Sequence, residues 1–140
     1  MRQSFQLFRR LGEMGYRDFS PDAADRCLLE IYPHACYSAL LGRLPFSKNS
    51  LEGRIQRQLI LVEQELDIAD PMGFFEEITR HRILKGMLPY EILCTPGELD
   101  ALIAAYTAWF AAHYPTQITQ LGDPSEGQVT LPISALKNAY

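Results

Sequence analysis

The chain has 140 residues, of which 47% are hydrophobic and 21% charged, and its formal net charge is −4. These values are typical of one soluble globular domain, and the acidic balance argues against a surface that binds nucleic acid throughout. No apolar run is long enough to span a membrane, and the N-terminus does not have the layout of a signal peptide. The composition therefore predicts a single cytoplasmic domain over residues 1–140.

The cysteines are three in number, widely spaced and without a CxxC pair; they are Cys27, Cys36 and Cys94. Such a set indicates reduced and mostly buried thiols, as expected in the cytoplasm. A catalytic cysteine acting with one of the three histidines would need a nucleophile motif, and none surrounds any of these cysteines.

The N-terminal segment has the periodicity of an amphipathic helix that Gly15 ends. Its apolar residues recur at helical spacing and are Phe5, Phe8, Leu11 and Met14. Four arginines accompany only Glu13 within residues 1–17, so this part of the chain is basic although the total charge is negative.

A short apolar run from Cys27 to Tyr32 is ended by Pro33, a pattern typical of a buried strand that leads into a helix. Glu30 is the only charged residue in the run. Because a buried carboxylate is unfavourable unless it is paired, protonated or bound to a cation, Glu30 is a candidate metal ligand. A salt bridge to an arginine, or a strand with one exposed face, would explain the residue equally well.

A second basic group surrounds a polar loop that contains one aromatic residue, Phe46. The group has Glu52 as its only acid and consists of Arg43, Lys48, Arg54 and Arg57. A phosphate backbone could contact this loop and the first turns of the next helix, with Lys48, Arg54 and Arg57 as the contacts. The alternative is a solvated helix face beside a mobile loop.

The remaining pattern is largely helical. Residues 51–66 carry an apolar stripe after Ser50 as the N-cap, and a second helix begins at Asp70 and ends near Gly86. Residues 87–94 are ambiguous, with a short strand as one reading of residues 92–94. The segments 118–121 and 128–131, separated by turn residues, predict a β-hairpin.

A strong start signal opens the helix predicted from Pro96 to about His113. Thr95 and Glu98 have the spacing of a capping box, so Glu98 is first of all a capping residue. Asp100 lies beyond the cap, about a quarter-turn from the centre of the apolar stripe. A carboxylate held at the rim of a packed surface could bind a metal ion if a second acid joined it.

Four segments together resemble domain of unknown function family 429. They are residues 30–35, Lys48 with residues 53–54, residues 98–102 and residues 122–127, and the resemblance covers roughly residues 11–132. The family is predicted to have a ribonuclease-H-like fold and nuclease activity. The resemblance implies that acids hold two divalent metals, Mg²⁺ or Mn²⁺. Glu30 would be the second acid, Asp100 the third and Glu98 an auxiliary.

The chain departs from this family at its start. Such domains begin with a glycine-containing hairpin whose first strand supplies the leading Asp, and the sequence offers no counterpart. We therefore expect a helix-rich α/β fold that resembles the C-terminal part of a ribonuclease-H-like domain without its N-terminal strands. The chain would be truncated, work with a partner or have lost catalysis.

The predicted strand at residues 27–32 also has no obvious neighbours in the sequence. Because central strands need partners for their backbone groups, we expect a homodimer or higher oligomer, or a separate N-terminal partner chain.

The leading functional prediction is a metal-dependent phosphodiester hydrolase, or an inactive remnant of one. It requires Glu30 and Asp100 to lie within about 8 Å of each other, close enough to share a cation. With the leading Asp missing, we expect no robust nuclease activity from the isolated chain. The alternative is a non-enzymatic interaction module that offers an exposed sheet edge to a partner.

Overall fold

A computed structural model describes residues 2–20 and 26–139, without the side chains of residues 2–5. It contains both helices and short strands, which agrees with the predicted α/β class. The helices are α1 (Arg2–Glu13), α2 (Pro33–Leu41), α3 (Leu51–Glu63), α4 (Gly73–Glu76), α5 (Arg80–Leu84) and α6 (Pro96–His113). The strands are β1 (Arg17–Asp18), β2 (Cys27–Leu28), β3 (Thr119–Asp123) and β4 (Gly127–Leu131). Among these described residues, no helix has the length and apolar character needed to cross a membrane.

The core lies where α2, α3 and α6 meet β4. Its fully buried members come from all four elements and include Tyr37, Leu61, Leu99, Ile103 and Leu131. The α6 helix begins as predicted, because the Thr95 side chain accepts a hydrogen bond from the Glu98 amide and Glu98 bonds back to the Thr95 amide. The capping box fixes the first turn of α6, and with it the position of Asp100.

The inward face of α3 differs from the predicted apolar stripe. Ser50 caps α3 as expected, but its buried residues are Gly53, Arg57, Gln58 and Leu61. Gln58 explains part of this difference, because its side chain donates to the carbonyl oxygens of Ala69 and Ile92 and accepts from the Cys94 amide. Polar side chains on α3 thus form hydrogen bonds with backbone carbonyl and amide groups of irregular segments that are not paired in a sheet.

The helix predicted from Asp70 to Gly86 is interrupted. The α4 helix ends at Glu76, and Thr79 adopts extended backbone angles and caps a new helix, α5, through the Arg82 amide. The short strand considered for residues 92–94 is absent from the described chain, where Tyr90–Ile92 forms a 3₁₀ turn.

The prediction of a buried strand over residues 27–32 is wrong. Only β2 is a strand, pairing parallel with β1, while Glu30 forms an isolated bridge to Val129 in β4. Glu30 is exposed, and so is Tyr32. The run therefore pairs with β1 through β2 and with β4 through Glu30, and the Glu30 side chain is exposed to solvent.

The two strands predicted near the C-terminus are present as β3 and β4, which pair antiparallel from Thr119–Leu131 to Asp123–Gly127. The Thr130 amide donates to the Glu30 carbonyl at 2.9 Å, which ties this pair to the segment that precedes α2. The β4 strand thereby closes one side of the helical core.

Candidate functional site

A cleft of about 400 Å³ opens between the start of α2 and the loop that precedes α3. The start of α2 provides Tyr32, Pro33 and His34; the loop provides Pro45, Phe46, Ser47 and Lys48; α3 and α6 add Arg57 and Asp100. The volume lies in the range of small-ligand sites, roughly 300–1,000 Å³. This cleft brings two of the three predicted phosphate-contacting cations together with one predicted metal ligand.

The loop wall of the cleft rests directly on the first turn of α3. A Cβ atom at Gly53 would overlap the carbonyl oxygen of Ser47, so only glycine allows this approach. Ser50 adds two bonds, since its amide and its hydroxyl both donate to the same Ser47 carbonyl. The loop is therefore packed against the helix and does not extend freely into solvent.

Arg57 forms the floor of the cleft and is only 2% exposed. Its Nη1 atom donates to the carbonyl oxygens of Phe46 at 2.8 Å and Gly53 at 3.1 Å. Its guanidinium also lies over the Tyr37 ring, 5.4 Å from the ring centroid. Burial lowers the pKa of Arg57 from its ordinary value, while Tyr37 and Asp100 raise it. Arginine retains its proton under such conditions, so a cation lies beneath the cleft.

His34 connects the start of α2 to this cation. The Arg57 Nη2 atom lies 3.4 Å from His34 Nδ1, and because a guanidinium can only donate, Nδ1 is the acceptor in this contact. No side chain caps the N-terminus of α2 in the described chain, where Tyr32 is the N-cap and Pro33 follows. The positive end of the α2 dipole thus adds to the positive potential at this wall.

Lys48 and Asp100 form an ion pair across the cleft. The Lys48 Nζ atom lies 2.8 Å from Asp100 Oδ2, with the lysine side chain 51% exposed and the aspartate side chain 30% exposed. The intermediate burial of Asp100 agrees with the predicted position at the rim of the α6 stripe. Lys48 and Arg57 outnumber Asp100, so the cleft carries a local positive charge in a chain whose total charge is negative.

The other predicted site residues have different surroundings. A Cβ atom at Gly127 would lie 3.3 Å from Oε2 of Glu30, which places this carboxylate beside the β3–β4 turn, whereas Asp100 faces Lys48. Arg54 donates to the carbonyl oxygens of Leu93 and Cys94, so its guanidinium is engaged within the fold.

Glu98 acts in the capping box. Its Oε2 accepts hydrogen bonds from the amide and the hydroxyl of Thr95. Both hydrogen bonds lower the pKa of Glu98, and the one from the amide has the larger effect.

The described residues contain no group of three or more His, Cys, Asp or Glu side chains that could hold a metal ion. Of the cleft-lining residues that the structure describes, only Asp100 carries a carboxylate, and one of its oxygens faces an ammonium group. Mg²⁺ and Mn²⁺ need more oxygen ligands than this. The donor set in this part of the chain therefore does not fit a two-metal centre, and no hydrolytic step is assigned to it.

Sequence reasoning missed the roles of Tyr32 and His34 in the cleft and the burial of Arg57. Two local signals in the sequence indicate the two walls of the cleft. The Pro33–His34 helix start has no capping side chain before it, and Gly53 three residues after the Ser50 cap indicates a close approach of the preceding loop. The burial of Arg57 has no comparable signal, because it depends on carbonyl groups that tertiary structure brings together.

Comparison with known proteins adds one finding. The sequence profile of the family described as "Protein of unknown function (DUF429)" matches residues 1–123 of this chain. The match begins earlier and ends earlier than the region over which the motifs resemble the family. No curated protein and no solved structure matches the chain. Since the profile covers most of the sequence, the chain belongs to the family of proteins of unknown function DUF429.

Proposed function

We propose that this chain is a nucleic-acid-binding domain of the metal-dependent nuclease type, whose cleft holds a phosphate of the bound strand. The observation that carries the proposal is the convergence of Lys48 and the buried Arg57 on one cleft, where Asp100 is the only acid among the described residues that line it. Phosphate contacts from lysine and arginine supply most of the affinity in such complexes.

The charge distribution favours a local contact between the cleft and a nucleic acid over binding across a broad positive surface. The formal charge of −4 disfavours a broad nucleic-acid surface, but a concave positive site focuses its field on a ligand within it. A metal-dependent hydrolysis would need further carboxylates from a partner chain, and Asp100 would be the ligand that this chain contributes. Mg²⁺ or Mn²⁺ would then be the cofactor of the assembled site.

Binding of labelled single-stranded DNA and RNA oligonucleotides, followed by fluorescence anisotropy at low salt, tests the proposal. Lys48→Ala should weaken binding several-fold and reduce the slope of log K against log salt by about 1. Lys85→Ala is the matched control, because Lys85 is exposed at the end of α5 and outside the cleft. Absence of binding by the parent chain, or equal effects of the two substitutions, would refute the proposal.

The metal part of the proposal has its own measurement. Calorimetry with Mg²⁺ or Mn²⁺ should show weak binding that decreases in Asp100→Asn, since this change removes one anionic ligand, and stays unchanged in Glu30→Gln, whose carboxylate lies beside the β3–β4 turn. The isolated chain should show no robust cleavage of DNA or RNA. Strong cleavage unaffected by either substitution would place the chemistry elsewhere.

A second candidate function is a non-enzymatic interaction module, favoured by the N-terminal α1–β1 unit. The amides of Arg17 and Phe19 bond to the β2 side, so the Asp18 amide and carbonyl point to the opposite edge, where no described strand pairs with β1. Leu7 and Phe8 on α1 are 60% and 58% exposed. A second polypeptide could pair a strand with the β1 edge and cover the apolar residues of α1.

Light scattering on the purified chain tests this second candidate. A homodimer or higher oligomer that Phe8→Ser converts to monomer, without a change in helical content, would support it. A monodisperse monomer that also captures no strand-forming peptide would exclude it.

A further inference from the structure

We infer that Asp100 is a built-in competitor for the ligand of the cleft: its carboxylate holds Lys48 until the phosphate of one nucleotide in a single strand replaces it, with the base against Phe46. This inference rests on the proposed function and specifies its substrate class. Its basis is the geometry of the ion pair and of the aromatic residue beside it.

The ion pair is built to exchange. The Lys48 ammonium and the Asp100 carboxylate are 2.8 Å apart, but both side chains remain accessible to solvent. Accessible pairs of this kind are weak, and a lysine head group is a mobile point charge on a flexible stem. A phosphate oxygen entering the cleft can therefore take the position of the carboxylate oxygen without disturbing the core.

Phe46 is exposed on a backbone that is fixed. Its amide donates to Gln56 Oε1 at 2.8 Å, and its carbonyl accepts from Arg57 at 2.8 Å. The side chain is nevertheless 59% exposed and lines the cleft. Since two hydrogen bonds hold the backbone, the residue is presented at a fixed point of the cleft wall and little backbone ordering is needed on binding.

The α2 wall of the cleft carries a second exposed aromatic residue, Tyr32, which is 58% exposed. Aromatic residues beside a cation are typical of sites that stack the bases of single strands while a positive group contacts the backbone. In a duplex the base faces are already stacked and cannot meet such a ring. The cleft therefore favours a single strand, and its volume suits about one nucleotide at a time.

The role of Asp100 follows from charge. Once the phosphate pairs with the Lys48 ammonium, the released Asp100 carboxylate remains at the same wall and repels the phosphate. Asp100 therefore opposes binding both before and after the exchange. Removing this charge should tighten binding when no metal is present. A residue needed to orient Lys48 for the phosphate would give the opposite sign.

The experiment measures the affinity for a labelled oligothymidine with a chelator present. Asp100→Asn should bind it several-fold more tightly than the parent chain, whereas Asp67→Asn, which removes one exposed acid outside the cleft, should change affinity little. The gain should disappear in the double variant Lys48→Ala/Asp100→Asn. Asp100→Ala should show the same gain in affinity, so that a folding defect in one of the two variants does not decide the result.

The base contact is tested on the same oligonucleotide and on its duplex. Phe46→Ala should weaken single-strand binding about 5- to 100-fold, as expected for the loss of one base–aromatic stack. Leu44→Ala, at an exposed apolar residue that does not line the cleft, should leave binding unchanged.

The possible failures are distinguishable. If the parent chain binds no oligonucleotide, the proposed function fails. If it binds but Asp100→Asn is unchanged or weaker, or if the duplex binds as tightly as the single strand, only this inference is overturned.

Discussion

The guanidinium of Arg57 donates a hydrogen bond of 2.8 Å to the carbonyl oxygen of Phe46, so a buried cation on α3 fixes the loop wall of the cleft. The same guanidinium lies over the ring of Tyr37, whose hydroxyl donates to the carbonyl oxygen of Leu99 at 2.7 Å. Burial raises the pKa of Tyr37, which keeps this hydroxyl a neutral donor. A chain of contacts therefore runs from the loop that carries Lys48 to the α6 turn that carries Asp100.

Replacement of Arg57 by methionine should lower the free energy of unfolding by about 2–4 kcal/mol, because it removes the donor to the Phe46 carbonyl oxygen and the buried contact with the Tyr37 ring. Urea denaturation followed by circular dichroism measures this change. Arg82→Met is the control, because Arg82 forms an accessible ion pair with Glu77 at 3.1 Å. That pair should contribute less than about 1 kcal/mol. Equal losses in the two variants would show that the contacts of Arg57 do not stabilise the fold.

The sequence predicts the elements whose signals are local. The α6 helix begins at Pro96 and ends at His113, as its capping box and the following Pro115 indicate. Prediction from the sequence fails where tertiary contacts decide which structure a segment adopts. An apolar run with one acid predicts a buried strand at residues 27–32, yet Glu30 lies in solvent because only Cys27 and Leu28 form a strand.

The candidate site was only partly predictable for the same reason. Lys48 and Asp100 were identified separately, from a basic loop and from a helix rim, and the structure pairs them at 2.8 Å. Nothing in sequence spacing indicates that residues 52 positions apart meet. The burial of Arg57 likewise depends on the Phe46 carbonyl, which reaches α3 only because Gly53 has no side chain.

Replacement of Thr130 by valine should stabilise the protein. The Thr130 side chain is 1% exposed, and its hydroxyl has no hydrogen-bond partner among the described residues. Because an unpaired buried hydroxyl carries a desolvation penalty, its removal should raise the free energy of unfolding by about 1 kcal/mol. Thr107→Val is the matched control, since its buried hydroxyl donates to the Ile103 carbonyl at 2.8 Å. Thermal or urea unfolding should show opposite signs for the two variants, and a loss in both would contradict the prediction.

Glu98 should make stability depend on pH. Hydrogen bonds from Thr95 lower the pKa of Glu98 in the folded chain, so its contribution is present above the unfolded-state pKa, which is about 4.3 for glutamate. This contribution is lost as the pH falls through the lower folded-state pKa. The urea midpoint of Glu98→Gln should therefore lie below that of the parent chain at neutral pH and approach it as the pH falls below the lowered folded-state pKa of Glu98. Glu126→Gln, which removes one negative charge at an exposed turn residue outside the capping box, is the control at neutral pH, where its urea midpoint should stay close to that of the parent chain.

Replacement of Gly53 by alanine should destabilise the loop wall of the cleft. The added Cβ atom would overlap the Ser47 carbonyl oxygen, which is backbone and cannot rotate away. Relief of this overlap requires the loop to move off α3, which would also lengthen the bond between Arg57 and the Phe46 carbonyl. We expect a loss of about 1–3 kcal/mol in the free energy of unfolding, measured by urea denaturation.

Gly97→Ala provides a control in the first turn of α6, where nothing lies within 4 Å of the added Cβ atom. Because alanine favours helix over glycine by about 1 kcal/mol, this variant should be more stable than the parent chain. Oligonucleotide binding separates the two further: Gly53→Ala should weaken it by displacing Phe46 and Lys48, and Gly97→Ala should not. If Gly53→Ala is as stable as the parent chain and binds as tightly, the packing of the loop on α3 does not define the cleft.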